Sequence, residues 1–405
     1  MHFMARRRAF PALALGLLTI VAAAQDITPP VPQKFNSHSS ILNEDRLIWV
    51  RTPRGYDQGK SPFPVLYLTD GPNHINEIGS TIDFLVENGR MPPLIVVGIG
   101  NTDRTRDLTP THWDQKHTDG TLETNPTSGG GDRFIDFIQK ELMPEVEKEY
   151  RTAPYRIFAG HSLGGLLAIH ILITRPDMFN AYIAVSPSLQ WDDLRTVRQA
   201  KDFFAAHTEL DKTLFFSLAN EGDTPDPMGD GFQQFQKILK TRAPKNFRWD
   251  SARYHDEDHG STVLRAHYAG LRTVFANWQF QRDATGLPVG GLDGLEKHYR
   301  ELSERYGYTV PVPESLLNDF GYALMGRKKV DEAIAIFRRN VELYPGSPNV
   351  YDSLGEAYEN SGKLDLATAN FQKAIDLGTT TADPHLDAYH DHLKRVTAAQ
   401  TAKKK

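Results

Sequence analysis

Between Ser40 and about Phe280 the chain alternates short apolar runs with amphipathic stretches, and this alternation limits its possible folds more than any other feature. Runs such as Val65-Leu66-Tyr67-Leu68 and Leu94-Ile95-Val96-Val97 are apolar at every position, not at every second one. A strand of that kind has both faces covered, as in a mostly parallel sheet with helices on either side. Strands are expected at Arg46–Arg51, Pro64–Leu68, Leu94–Ile99, Tyr155–Ala159, Ala181–Val185, Leu214–Leu218 and Phe247–Tyr254. Helices are expected at Asn73–Gly89, Gly131–Tyr150, Leu163–Arg175, Asp193–His207, Phe232–Thr241 and Ser261–Gln279. In the second of these, Phe134, Phe137, Ile138 and Leu142 recur on one helical face.

The sharpest local signal is Gly160-His161-Ser162-Leu163-Gly164-Gly165, placed between the apolar strand Arg156-Ile157-Phe158-Ala159 and the helix opening at Leu166. A G-x-S-x-G sequence in that setting is a nucleophile elbow. The chain reverses from strand to helix within one residue, which forces Ser162 into a strained conformation. Glycine at 160 and 164 avoids collision with the neighbouring strand and helix. The helix N-terminus beneath Ser162 favours developing negative charge.

A serine hydroxyl needs a base, and the base needs an orienting acid, in the chain order Ser, acid, His. His259 follows the last expected strand and precedes the last helix, and Gly260 lets its loop rise over the elbow. His255, nearer the strand, is the alternative base. Read with Asp256, Glu257 and Asp258 as a metal cluster, the two histidines lack a further ligand-rich segment to complete it, so no metal or cofactor is expected. The acid is expected just after Leu214–Leu218, where Glu221 is the first choice and Asp223 the second. For the oxyanion hole the Leu163 amide is one donor. The other belongs to Asp70-Gly71-Pro72-Asn73; Pro72 has no N–H, so Gly71 or Asn73 supplies it, with Asn73 preferred. Trp191, Arg106 and His161 are candidate substrate contacts. Buried packing is the competing reading for Trp191, internal ion pairing for Arg106, and packing under the elbow for His161.

Four glycines and a proline crowd Gly286–Gly294, and beyond it the strand pattern stops. A shift of 34 residues then places Leu317 on Tyr351, Gly321 on Gly355, Ala333 on Ala367 and Phe337 on Phe371. That is the spacing of tetratricopeptide repeats. Two repeats are fewer than usually stand alone, so Leu292–Tyr306 and Pro384–Val396 are expected to add helices and to pack on the first domain.

Arg6-Arg7-Arg8, the apolar run Ala12–Ala23 and Ala22-Ala23-Ala24 together read as a cleavable export signal, too short to span a bilayer. The expected organisation is therefore a signal at 1–24, an extended lead-in at 25–39, a catalytic domain at 40–285 and a linker at 286–294. A helical domain at 295–397 and a basic tail at 398–405 follow. Removing the signal takes away three arginines and no acid, so the net charge of −5 becomes more negative. With no basic run longer than the three residues of Lys403-Lys404-Lys405, nucleic acid is not an expected partner. Cysteine is absent, which excludes disulfide scaffolds and thiol catalysis.

Pro64–Gly71, Arg104–Pro110, the Gly160–Gly165 elbow, Ser186-Pro187-Ser188 and Asp256–Ser261 together resemble an esterase family of α/β-hydrolases. This family includes siderophore esterases of the enterochelin type and is related to feruloyl esterases. The resemblance spans about Phe35 to Phe280. It implies an α/β-hydrolase fold with Ser162 as nucleophile, His259 as base and Glu221 as acid. Some siderophore esterases manage with a Ser–His pair alone. Where many relatives carry two tryptophans, Gln190-Trp191 implies a more polar wall of the acyl pocket. The expected function is an exported serine esterase acting on a small-molecule ester of siderophore or feruloyl type. The alternatives are an acyltransferase with the same triad, or a repeat scaffold that binds a protein partner or a second copy and carries a vestigial hydrolase domain. No membrane span is expected.

Overall fold

The computed structural model describes residues 29–58, 60–116, 120–222 and 226–403. The expected signal at 1–24, the start of the lead-in, Asp223 and the last two lysines lie outside the described residues. The chain opens with β1 (Gln33–Ser39), β2 (Glu44–Arg51), β3 (Phe63–Leu68), α1 (Gly71–Glu87), β4 (Ile95–Ile99) and α2 (Arg104–Leu108). A small hairpin, β5 (Gln115–Lys116) and β6 (Leu122–Glu123), leads to α3 (Gly131–Phe137) and α4 (Met143–Glu149). Then come β7 (Thr152–His161), α5 (Leu163–Thr174), β8 (Ala181–Val185), α6 (Trp191–Ala206), β9 (Thr213–Leu218), α7 (Pro227–Arg242), β10 (Arg248–Arg253) and α8 (Thr262–Val274). The helices α9 (Gly291–Tyr306), α10 (Glu314–Gly326), α11 (Val330–Leu343), α12 (Pro348–Asn360), α13 (Leu364–Thr381) and α14 (Leu386–Lys403) complete it.

All seven expected strands join one eight-stranded sheet in the order β1-β2-β4-β3-β7-β8-β9-β10. β2 runs against both its neighbours, and the six strands from β4 to β10 are parallel. Residues alternate between two apolar layers. Leu66, Leu68, Ile157 and Ala159 face α1 and α8, whereas Val65, Tyr67 and Phe158 face α5 to α7. This double burial explains why the runs are apolar throughout.

Three expectations need correction. The lead-in does not extend to residue 39, because Gln33–Ser39 is the edge strand β1. Its polar composition hides it: Ser37 Oγ donates to Glu145 Oε2 at 2.6 Å and Ser39 Oγ to Glu141 Oε2 at 2.5 Å, so hydrogen bonds replace apolar packing. The expected helix Gly131–Tyr150 widens into a π turn at Ile138–Leu142. Pro144 has no N–H to offer the Lys140 carbonyl, so the regular ladder cannot run through. The linker is also shorter than 286–294, since α9 begins at Gly291 after the left-handed Gly290.

Beyond β10 the elements among the described residues are helices, apart from a single β-bridge between Arg282 and Pro288, and their core is continuous with the layer under α1 and α8. Tyr306 seals the junction, with its ring 4.9 Å from Tyr155, 5.4 Å from Phe275 and 5.6 Å from Trp278. The Tyr306 hydroxyl donates to the Val274 carbonyl and Arg305 to that of Ala276. Helices α10 to α13 form two hairpins with the same internal contact. A Cβ at Gly321 would lie 2.5 Å from the Phe337 ring, and one at Gly355 would lie 2.6 Å from that of Phe371. Among the described residues no helix is long and apolar enough to cross a membrane.

Candidate active site

The parallel strands bring three loops to one edge of the sheet, where crevices form at carboxyl ends. β7 ends at His161 and α5 begins at Leu163, which leaves Ser162 alone at the reversal with φ 61° and ψ −117°. A non-glycine residue there costs roughly 1–3 kcal/mol, held by the surrounding packing. The turn is close: a Cβ at Gly160 would lie 2.3 Å from the Gly164 carbonyl oxygen, and one at Gly164 would lie 2.2 Å from Thr69 Oγ1.

The Ser-Pro-Ser loop after β8 braces the elbow. Ser162 N–H donates to the Val185 carbonyl at 2.9 Å, and Ser188 N–H donates to that of Ser162 at 3.2 Å. Ser162 Oγ meets Ser188 Oγ at 3.3 Å, and no hydrogen bond joins it to His259. Ser186 Oγ accepts from the Ala219 amide at 3.0 Å, and so links this loop to the end of β9.

Glu221 follows β9 and His259 precedes α8, and His259 Nδ1 lies 2.7 Å from Glu221 Oε2. The Glu221 side chain is 5% exposed and that of His259 is 38% exposed. Burial raises the Glu221 carboxyl, but the hydrogen bond and charge of His259, with Ser186 and the Ala219 amide, bring it below its ordinary value. The carboxyl is therefore ionised at neutral pH and can only accept. Nδ1 carries the proton, and the Nε2 lone pair is left for a substrate or nucleophile. Asp223, the alternative acid, lies outside the described residues.

The loop after β3 supplies the other wall. Asp70 has φ 54° and accepts from Asn101 Nδ2 at 2.5 Å and Arg104 Nε at 2.8 Å. Arg104 also donates to the His161 carbonyl at 3.2 Å, which ties this loop to the elbow. The preferred oxyanion donor Asn73 is a correction. Its N–H donates to the Asp70 carbonyl at 2.9 Å and closes the first turn of α1, so Gly71 is the amide left for the site.

Arg106 is a second correction. Its guanidinium is taken up by Asp107 and Glu44, each at 2.8 Å, beside a fully buried Arg46–Asp107 pair at 2.7 Å. Arg104, two residues earlier, is the arginine at the elbow. No spacing rule separates two arginines on one short polar helix; only the fold does. Trp191 is 7% exposed, donates its indole N–H to Thr111, and packs edge-on against Trp113, so it forms wall rather than open platform. Gln190 Oε1 is buried beside it without a partner. His161 lies between His74 and His259, with ring centroids 6.0 and 4.6 Å away. Burial first, then the neighbouring His259, lowers it to about 4. Among the described residues no group of histidines and carboxylates is arranged to hold a metal.

The arrangement can perform nucleophilic acyl chemistry, and comparison with known proteins agrees. The family described as "Putative esterase" matches residues 39–273, more than half of the chain. The ferri-bacillibactin esterase BesA of Bacillus subtilis is 30% identical over 223 residues, covering 50% of this chain and 75% of that protein. The siderophore triacetylfusarinine C esterase of Aspergillus fumigatus is 28% identical over 303 residues, 64% of this chain and 99% of its own. An IroE-like serine hydrolase from Shewanella oneidensis superposes with a TM-score of 0.67 at 29% identity, covering 77% of this chain and all of its own. The chain belongs to this esterase family and is a carboxylic ester hydrolase.

Proposed function

We propose that the chain hydrolyses esters of siderophore type through an acyl-enzyme on Ser162. The 2.7 Å bond between His259 Nδ1 and Glu221 carries this reading, because it leaves the His259 Nε2 lone pair free to act as a base in a fold whose elbow presents a strained serine. As substrate enters, Ser162 Oγ exchanges Ser188 for His259 Nε2, a contact that is often made only in the loaded enzyme. His259 takes the hydroxyl proton while Oγ bonds to the ester carbon. The oxyanion is held by the amides of Leu163 and Gly71. The carbonyl re-forms, the alcohol leaves with the proton from His259, and a water deprotonated by His259 then releases the acid.

The siderophore class rests on the relatives, which include a siderophore triacetylfusarinine C esterase and a ferri-bacillibactin esterase. We further read 1–24 as an export signal and the hairpins α10–α13 as two tetratricopeptide-type repeats, the latter on their repeated Gly–Phe contact. The test is Ser162→Ala, assayed on p-nitrophenyl acetate and on a triscatecholate lactone. Both activities are expected to vanish in a folded protein, and turnover above the uncatalysed rate would remove Ser162 from the mechanism. N-terminal sequencing of the exported protein is expected to begin at Gln25.

A further inference from the structure

We propose that His161 is a positioning residue for the base: its Nε2–H, bonded to the His259 carbonyl, sets the height of the imidazole loop over the nucleophile turn. The inference rests on the serine mechanism above and adds a role for the residue before the nucleophile.

His161 Nε2 lies 2.7 Å from the His259 carbonyl oxygen. A carbonyl only accepts, so Nε2 carries the hydrogen and the tautomer is assigned. The contact spans residues 98 apart in sequence and starts one residue from Ser162. The other ties of the 254–261 loop lead elsewhere. Tyr254 N–H donates to the Leu218 carbonyl, Asn220 N–H donates to that of Glu257, and Arg265 holds Asp256 and Glu257. Glu221 likewise fixes His259 from the β9 side. Among the described residues, the His161 bond is the one hydrogen bond between this loop and the elbow, so it controls how the base meets the serine.

The ring is well placed to do this without disturbing the reaction. His74 stands edge-on to it at 6.0 Å, and Arg104 clamps its carbonyl. The charged and titratable groups facing it are His259 from its loop, His74 from α1, and Arg104, whose charge is paired with Asp70. Burial keeps His161 uncharged at neutral pH, so no second cation stands 4.6 Å from the imidazolium that forms on His259. A neutral donor there orients the base without opposing its charging.

The experiment compares His161→Leu, which fills the space but cannot donate, with His161→Gln, whose amide N–H reaches the same carbonyl. On p-nitrophenyl acetate the leucine variant is expected to lose roughly 10²-fold in kcat with KM within about threefold, as for a base misplaced by about 1 Å. Fluorophosphonate labelling of Ser162 should slow in parallel. His161→Gln should recover to within about fivefold of wild type, with both variants melting cooperatively. His161→Met carries the same expectation if the leucine variant does not fold. A folded apolar variant with wild-type kcat, or a glutamine variant as impaired as the leucine one, overturns the role. Ser162→Ala measured alongside separates the two readings: an active Ser162→Ala defeats the mechanism itself. An inactive Ser162→Ala with a fully active His161→Leu defeats this inference alone.

Discussion

Replacing Gly71 with alanine tests the oxyanion assignment directly. The new Cβ would lie 2.4 Å from the Gly98 carbonyl carbon, 2.6 Å from its Cα and 2.7 Å from the Ile99 nitrogen. Carbon atoms pack at about 3.5–4.0 Å, so the two backbones must separate by about 1 Å. β4 cannot yield, because it is buried throughout and bonded to both β2 and β3. The first turn of α1 has to move, and it carries the Gly71 amide with it. Loss of one oxyanion donor costs about 10²–10³ in kcat, or roughly 2.7–4 kcal/mol of transition-state stabilisation. Overpacking of this kind also destabilises the fold by roughly 1–3 kcal/mol. Steady-state kinetics on p-nitrophenyl acetate should therefore show kcat reduced at least about 10²-fold with KM little changed. Gly98→Ala approaches the same contact more gently, with its nearest atom, Gly71 Cα, at 3.0 Å, and should lose only about tenfold. A folded Gly71→Ala enzyme with kcat within about threefold of wild type would falsify the assignment of this amide.

Three further outcomes follow from named contacts. Glu221→Gln removes the charge that stabilises the imidazolium and should lower kcat by between about 10² and 10⁴ without raising KM; a loss under tenfold would return the acid's role to Asp223 or to none. Because His161 titrates near 4 when folded and near 6.5 when unfolded, the unfolded chain takes up its proton first as pH falls. Stability should thus decline between about pH 6.5 and 4, by roughly 3 kcal/mol from this group, and His161→Gln should flatten that part of a urea-denaturation series. Tyr306→Ala opens the cluster of Tyr155, Phe275 and Trp278 and should cost about 3–5 kcal/mol. Its kcat should stay unchanged, since α8 separates that cluster from His259 by about 20 Å; a drop in kcat with unchanged melting would contradict the shared core as a purely structural junction.

Much of this protein was legible because its signals are local. An apolar run reads as a doubly covered strand whatever lies beside it, and the Gly-His-Ser-Leu-Gly-Gly turn reads as an elbow because strand and helix patterns abut it. The order Ser162, Glu221, His259 follows from the fold type, and the structure brings Glu221 and His259 to 2.7 Å. The shared face of Gly321 and Phe337, repeated 34 residues on, was visible as spacing alone. β1 was not visible as a strand of the sheet, because its buried residues are serines satisfied by Glu141 and Glu145 from a segment about a hundred residues away. The sequence favoured Asn73 over Gly71, and the Asp70 carbonyl, which takes the Asn73 amide, reverses that order. Arg104 and Arg106 have the same chemistry two positions apart, yet one grips Asp70 and the elbow while the other is spent on Asp107 and Glu44. The tie from His161 to His259 depends on two loops meeting across the sheet. Sequence alone determined most of the secondary elements, the turn that presents the serine and the expected order of Ser162, Glu221 and His259, since these depend on steric and periodic rules acting within a few residues. The tertiary structure decided which amide is spent within α1, which arginine reaches the elbow and which histidine bonds the His259 loop, because a hydrogen bond is won by the donor that packing brings within about 3 Å, and chain spacing does not encode that distance.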